Sequence, residues 1–477
     1  MRYTALAVDY DGTIAHDGVV PPHVLDGLKR LKATGRRLLL VTGRELPELK
    51  TVFPGVGIFD RVVAENGALL YRPASGEVEE LGDAPPPRFL EMLRARGVPL
   101  SVGSSIVATV TPHETAVLEA IRELGLERQV IFNKGAVMVL PSGINKSSGL
   151  AAALAELSLS PRNVVACGDG ENDHALLDSS EYSVAVANAV ASLKERADRV
   201  TTEKRGDGVL EVVADMIAHD LVRTQPAKPR RTVVLGRDAA GTDVTVPAAG
   251  VSMLVTGDAR SGKSTFVIRQ LERFANCGYQ YCVIDTRGEY LAFNPAVVFG
   301  TREHAPDATE VLTALQKPSV HAVVCLVALE RGKRPAFVAD LMRRLVALRE
   351  ETGRPHWIVM DEAQEVPDDR SVRSELASEP SENLIHVTSD PAGLSVDIIA
   401  EADVVVGRGP GAHAMLCAVA ARMDLAPPPE PERSPREGEA LVWFRRQRGA
   451  PRLVELPRRD AMKTRDNEAV GQLLRRA

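Results

Sequence analysis

Short apolar runs alternate with amphipathic helical stretches along most of this 477-residue chain. Runs such as "YTALAVD" (3–9), "RRLLLVTGR" (36–44) and "RNVVACGDG" (162–170) read as strands, and "PHVLDGLKRLKATG" (22–35) reads as an amphipathic helix closed by Gly35. That rhythm implies a parallel sheet covered by helices, because parallel neighbours need a crossover long enough to hold a helix. "DRVVAENGALLY" (60–71) reads as a continuation of it. The length allows two or three domains with full cores.

The texture changes at "DAPPP" (83–87). "RFLEMLRARG" and "HETAVLEAIRELGL" are helical, "SSIVATVTP" is strand-like, and "RQVIFNKGAVMVLP" (128–141) reads as a hairpin turned at Asn133 to Gly135. Residues 83–143 are therefore expected to form a small α+β insertion in an α/β core made of 1–82 and 144–222. "RTQPAKPRR" (223–231) has the composition of a linker. Beyond it, "TVVLGRDAAGTDVTV" reads as a hairpin and "GVSMLVTGD" as a strand, opening a second α/β domain over 232–424. Residues 425–477 are proline-rich and then basic. From Arg433 there are 12 Lys or Arg against 6 Asp or Glu, and this tail is expected to be partly disordered, with "EALVWF" as one further strand.

A net charge of -6 gives no general reason to expect tight polyanion binding. The five cysteines form no CxxC pair, so neither a disulfide framework nor a zinc site is supported. With no signal-peptide layout and no apolar run of about 18 residues, a cytoplasmic protein without a membrane span is expected.

Asp9 and Asp11 end the first strand, two residues apart, so both point to one side of it. Neighbouring carboxylates repel unless a cation sits between them or one takes a proton. Mg2+ suits such hard oxygen donors, and a carboxylate can itself attack phosphorus. Downstream, Thr42 and the Gly43 amide end a strand where they suit a phosphate oxygen. Lys146 precedes a helix capped by Ser147 or Ser148 and can supply positive charge. Asp169 and Asp173 form a second acidic pair for a metal. His16 and His23 read as incidental surface residues.

These four stretches, in this order, resemble the haloacid dehalogenase superfamily. The position of the insertion and "AENGA" (64–68) resemble its type IIB, or Cof-like, branch. The resemblance covers about residues 1–220. It implies a Rossmann-like core with an α+β cap, Asp9 as nucleophile and Asp11 as general acid/base. It further implies Thr42 and Lys146 on the phosphate, and Mg2+ held by Asp169, the Asp9 carboxylate and the Asp11 carbonyl, with Asn172 and Asp173 supporting that shell. A closing cap favours a small phosphorylated metabolite as substrate.

The loop Gly257 to Ser264 fits GxxxxGK[ST] between an apolar strand and a helix. Its amides can cradle phosphates. Gly257, Arg260, Ser261, Gly262, Lys263, Ser264 and Thr265 are the candidate ATP-binding residues, with Lys263 on the β and γ phosphates and Ser264 on Mg2+. "PHWIVMDEAQ" (355–364) ends a strand with Asp361 for the metal and Glu362 to polarise water, and Gln364 is placed to sense the γ phosphate. With "YQYCVIDTRGEY" (279–290), this layout resembles RecA-like P-loop NTPases, especially the HerA/FtsK branch. That resemblance implies an ATPase that assembles as rings. Arg287 and Arg408 are either its intersubunit fingers or ordinary surface arginines.

The reading that absorbs both motif sets is a Mg2+-dependent phosphatase fused to an ATP-binding P-loop domain. A polynucleotide end-processing enzyme would have to pass a polymer end under the cap. A nucleic-acid-stimulated HerA/FtsK-like motor would lack guide domains and carry the wrong net charge, so nucleic acid is not the favoured partner.

Overall fold

The computed structural model describes residues 1–222, 229–365, 383–447 and 449–456, in two units, Met1–Lys228 and Pro229–Ala477. The linker reading of 223–231 therefore lies largely outside the described residues, as does the end of the chain after Leu456.

The first unit holds an eight-stranded sheet. Its parallel part is built from β1 (Ala5–Val8), β2 (Arg37–Val41) and β3 (Arg61–Ala64). The stretch read as more parallel rhythm instead turns back, giving β4 (Leu69–Arg72) antiparallel to β3 and β5 (Glu77–Glu80) antiparallel to β4. The reason is length. Only Glu65 to Ala68 separate β3 from β4, too few residues for a crossover.

The insertion is a separate antiparallel sheet of β6 (Ser101–Val102), β7 (Val107–Val110), β8 (Arg128–Asn133) and β9 (Ala136–Pro141), ordered β6-β7-β9-β8. Helices Pro87–Ala95 and Glu114–Glu123 pack on it around Phe89, Leu93, Val117 and Val139. The expected turn is there. Lys134 (φ 49°) and Gly135 (φ 86°) sit between the paired Asn133 and Ala136, the two-residue loop with both φ positive that matches strand twist.

The chain then returns to the large sheet with β10 (Val164–Gly168), β11 (Tyr182–Ala185) and β12 (Arg199–Val200). The order is β12-β11-β10-β1-β2-β3-β4-β5. Every residue of β1 is fully buried, between parallel β10 and β2. Strands covered on both faces must be apolar throughout, so the first polar residue after Val8 necessarily lies at the end of the sheet.

Among its described residues the second unit builds an eleven-stranded sheet. It contains β13 (Thr232–Arg237), β14 (Asp243–Pro247), β15 (Met253–Gly257), β16 (Tyr281–Asp285), β17 (Val297–Phe299) and β18 (Ala322–Cys325). These are joined by β19 (Trp357–Met360), β20 (Leu384–Thr388), β21 (Val404–Arg408), β22 (Glu439–Phe444) and β23 (Arg452–Glu455). Their order is β14-β13-β23-β22-β21-β15-β20-β19-β16-β18-β17, parallel from β21 to β17 and antiparallel elsewhere. Glu439–Phe444 and Arg452–Glu455, in the stretch read as tail, are thus part of this sheet. No helix among the described residues is long and apolar enough to cross a membrane.

Candidate active site

The end of β1 delivers Asp9 into a pocket of charge. Asp9, Asp169 and Asp173 bring carboxylate oxygens within 4.8 Å of one another, and all three residues are at most 5 % exposed. Lys146, 1 % exposed, donates to Asp9 Oδ1 at 2.5 Å and to Asp173 Oδ1 at 2.6 Å. Thr13 Oγ1 donates to the other Asp9 oxygen at 3.0 Å. Asp173 accepts three hydrogen bonds, from Lys146 on Oδ1 and from the Asp169 and Gly170 amides on Oδ2 at 2.9 Å each, whereas each Asp9 oxygen accepts one. Asp173 therefore orients its neighbours, while Asp9 has the more open lone pairs to share with a cation.

Lys146 is fixed by the helix it begins, Lys146–Glu156. The cap is Asn145, not Ser147 or Ser148. Asn145 is extended (φ -154°, ψ 177°) and its side chain accepts the Ser147 and Ser148 amides, while Ser148 Oγ returns to the Asn145 amide. An asparagine carbonyl with this backbone serves two orphan N–H groups, which a serine already inside the helix cannot do.

Burial pushes the Asp9 carboxyl up to about 7, with the Asp173 charge adding to it and Lys146 opposing. Asp169 is also raised, by burial first. For Lys146, burial works against the charge, but the Asp173 and Asp9 carboxylates outweigh it and hold the ammonium above its ordinary range. The pocket thus has more negative charge than its lysine neutralises. An oxygen-only donor set short of positive charge fits a hard divalent cation such as Mg2+.

Asp11 does not join the trio through its side chain. Arg44 grips that carboxylate with two hydrogen bonds, 2.6 and 2.7 Å. Its backbone carbonyl faces the trio, 3.5 Å from Lys134 Nζ, which also reaches Asp169 Oδ2 at 2.7 Å. Gly12 makes this approach feasible. Its φ is +83°, and a methyl group there would lie 2.1 Å from Asp169 Oδ2, a position only glycine fills. Thr42, 1 % exposed, ends β2 beside β1 and accepts the Arg44 amide at 3.1 Å. Asn172 donates to Asn66 at 3.0 Å, and a methyl on Gly43 would be 3.7 Å from the Asn172 amide. His16 and His23 stay outside, paired with Asp17 and Asp207 at the surface.

Sequence reasoning missed Arg44, Lys134 and Asn188. Asn188 Nδ2 donates to Gly12 O at 2.8 Å and Asp169 Oδ2 at 3.1 Å. Arg44 was within the quoted strand-end stretch, and "NKG" marked the hairpin turn, so two signals were present.

The second unit builds a different kind of site. β15 runs into the loop that ends at Gly262 (φ 86°), the N-cap of helix Lys263–Asn276. Lys263 turns back onto the Gly257 and Asp258 carbonyls at 2.9 and 3.1 Å. Ser264 Oγ donates to Glu289. Arg260 (φ 64°) and Thr265 are exposed, and Ser261 is half-buried. β19 lies one strand away from β15 and ends at Asp361 and Glu362. Asp361 is 2 % exposed, its Oδ2 has no hydrogen-bond partner, and burial, then Asp285, Glu289 and Glu362, raise it to about 8. Glu362 pairs with Arg287 at 3.0 Å and accepts from Ser389 at 3.0 Å and from Gln364. Asp285 serves as a turn cap, accepting four successive amides from Arg287 to Tyr290. Arg408 is not a surface residue. It is 7 % exposed, donates to the Glu439 carbonyl, and lies against Gly262.

A parallel α/β core whose central strand hands a carboxylate to a buried lysine and two further carboxylates, with an inserted cap, defines a phosphatase-type hydrolase. The haloacid dehalogenase-like hydrolase family matches residues 6–83 and 109–213. A phosphoglycolate phosphatase of Haloarcula marismortui is 35% identical over 219 residues, covering 44% of this chain and 95% of that protein. One from Methanothermobacter thermautotrophicus is 31% identical over 219 residues, covering 44% and 96%. A crystal structure of a haloacid dehalogenase-like hydrolase from Bacteroides thetaiotaomicron is 19% identical, covers 45% of this chain and 99% of its own, and has a TM-score of 0.39. The chain belongs to the haloacid dehalogenase-like hydrolase family through its first unit.

Proposed function

We propose that the first unit is a Mg2+-dependent phosphatase acting on a small phosphorylated metabolite through a phosphoaspartyl intermediate on Asp9, and that the second unit binds and hydrolyses ATP. The observation that carries the first part is the sharing of Lys146 between Asp9 and Asp173 beside Asp169. In this reading Asp9, Asp169 and the Asp11 carbonyl hold Mg2+, which when bound screens the charge of the phosphoryl oxygens.

An Asp9 oxygen attacks phosphorus, the bond from phosphorus to the ester oxygen breaks, and that oxygen leaves as the alcohol with the proton of Asp11, which enters the step in its protonated form. Arg44 sets where Asp11 stands. Water then attacks the phosphoaspartate, giving its proton back to Asp11, and phosphate leaves as Asp9 is regenerated. Lys146, with Thr42 and the Gly43 amide, holds the phosphoryl oxygens. The cap shields the reacting group from bulk water. The names of the two relatives above make 2-phosphoglycolate the first substrate to assay.

For the second unit, the buried, unpartnered Asp361 Oδ2, near Lys263 and the Glu289 that accepts from Ser264, and the helix capped by Gly262, support a nucleotide with its metal. Lys263, held by loop carbonyls, would exchange them for phosphate oxygens, and Glu362 would polarise water. Arg408, being buried against the loop, would serve the nucleotide of its own chain.

The test is Mg2+-dependent phosphate release from a panel of small phosphate esters and from ATP. Asp9→Asn is expected to abolish ester hydrolysis alone, and Lys263→Ala to abolish ATP hydrolysis alone. Full ester hydrolysis by Asp9→Asn would refute the nucleophile assignment.

A further inference from the structure

We propose that Lys134, on the turn of the cap hairpin, is the counter-ion that Mg2+ has to displace, so that the metal and the docked hairpin compete for Asp169. This rests on the Mg2+ reading above.

The ammonium of Lys134 stands 2.7 Å from Asp169 Oδ2 and 3.5 Å from the Asp11 carbonyl, the two oxygens offered there to a metal. Its backbone is fixed by the tight turn and by its amide, which donates to Glu171 Oε2 at 3.3 Å. Beside it, Asn133 Oδ1 is buried without a hydrogen-bond partner and packs against Gly170, where a methyl group would lie 2.4 Å away. The hairpin tip is therefore seated on the loop that carries Asp169. Two cations on one carboxylate oxygen repel strongly in a low-dielectric pocket, so one has to leave. The side chains differ in freedom. That of Asp169 is 3 % exposed and that of Lys134 is 45 % exposed. A lysine on a flexible stem at the edge of solvent can swing out, while the buried carboxylate cannot turn to water. Metal binding thus costs the hairpin its main ionic tie to the core, and a seated hairpin lowers metal affinity.

The experiment is a calorimetric Mg2+ titration of the full chain with no substrate present. Lys134→Ala and Lys134→Gln are expected to bind Mg2+ roughly two- to fivefold more tightly than wild type, the scale of losing a half-exposed ion pair. Lys29→Ala, which removes an exposed lysine paired with Asp26, measures the effect of net charge alone and is expected to leave the affinity unchanged. In wild type, Mg2+ is expected to speed hydrogen exchange at the Lys134 amide. Equal or weaker Mg2+ binding in both Lys134 variants overturns the proposal, as does tightening matched by Lys29→Ala. Failure of wild type to bind Mg2+ at all overturns the metal reading instead.

Discussion

The two candidate sites are built from different material. The first unit uses side chains. Asp9, Asp169, Asp173 and Lys146 are buried, and Lys146 satisfies Asp9 and Asp173 through short ionic hydrogen bonds. The second unit uses backbone. A loop ending in a left-handed glycine opens a helix, its lysine is parked on two carbonyls, and Oδ2 of its buried carboxylate Asp361 lacks a partner. The first site is assembled in advance and its charges depend on each other for stability. The second holds unsatisfied groups that a ligand would complete. One should therefore break as structure when disturbed, the other mainly as function.

Mutating the charges sharpens that contrast most. Asp9→Asn should lower ester turnover by at least ~10³-fold, on the scale of losing a covalent nucleophile, with ATP turnover unaffected; steady-state kinetics on both substrates checks this. Lys146→Ala should destabilise the first unit by about 3–5 kcal/mol, because it strands two buried carboxylates. Lys263→Ala should cost far less stability, since its carbonyl partners can accept from water. Denaturant unfolding of each variant compares them, and equal losses would erase the distinction.

pH gives a smaller, signed effect. The Asp9 carboxyl is raised from an ordinary 3.8 to about 7. Below pH 4 it is protonated folded and unfolded, so the stability tied to its burial is fully present. As pH rises through about 7, that stability is lost, because the folded state must carry the charge. Mg2+ should accordingly raise the melting temperature more at pH 8 than at pH 5.5, which calorimetry with and without the ion measures. An equal rise at both would contradict the charge argument. Smallest of all, Arg287→Ala should change stability by no more than ~1 kcal/mol, since its partner Glu362 is buried but Arg287 is 39 % exposed. Its expected signature is altered ATP turnover.

Asp9, Lys146, Asp169 and Asp173 were legible because each ends a strand or begins a helix, and local pattern places such positions. Lys134 was not, although its turn was read correctly. Where a hairpin tip lands depends on how the cap seats, which no local periodicity encodes. Arg408 looked like a surface residue because it is charged and precedes a glycine-proline turn; the pairing of β21 with β22 buries it. β22 was read as the strand "EALVWF", but β23 was obscured for a related reason. Its basic, proline-flanked surroundings have the composition of a tail, while it pairs with β13, far away in sequence. The helix cap at Asn145 was misassigned to its neighbours because three capping-type residues lie within four positions.

The second unit's first hairpin and last strand are neighbours, with Arg237 paired to Glu455. During synthesis, β13 and β14 emerge long before β23 exists, and contacts of such separation form slowly. Until then β21 keeps an open edge of parallel sheet, the sort of surface that recruits other chains. The nascent protein therefore passes through a stage in which its first unit can be complete while its second is still exposed to aggregation, and a chain stopped before Glu439 would be held at that stage.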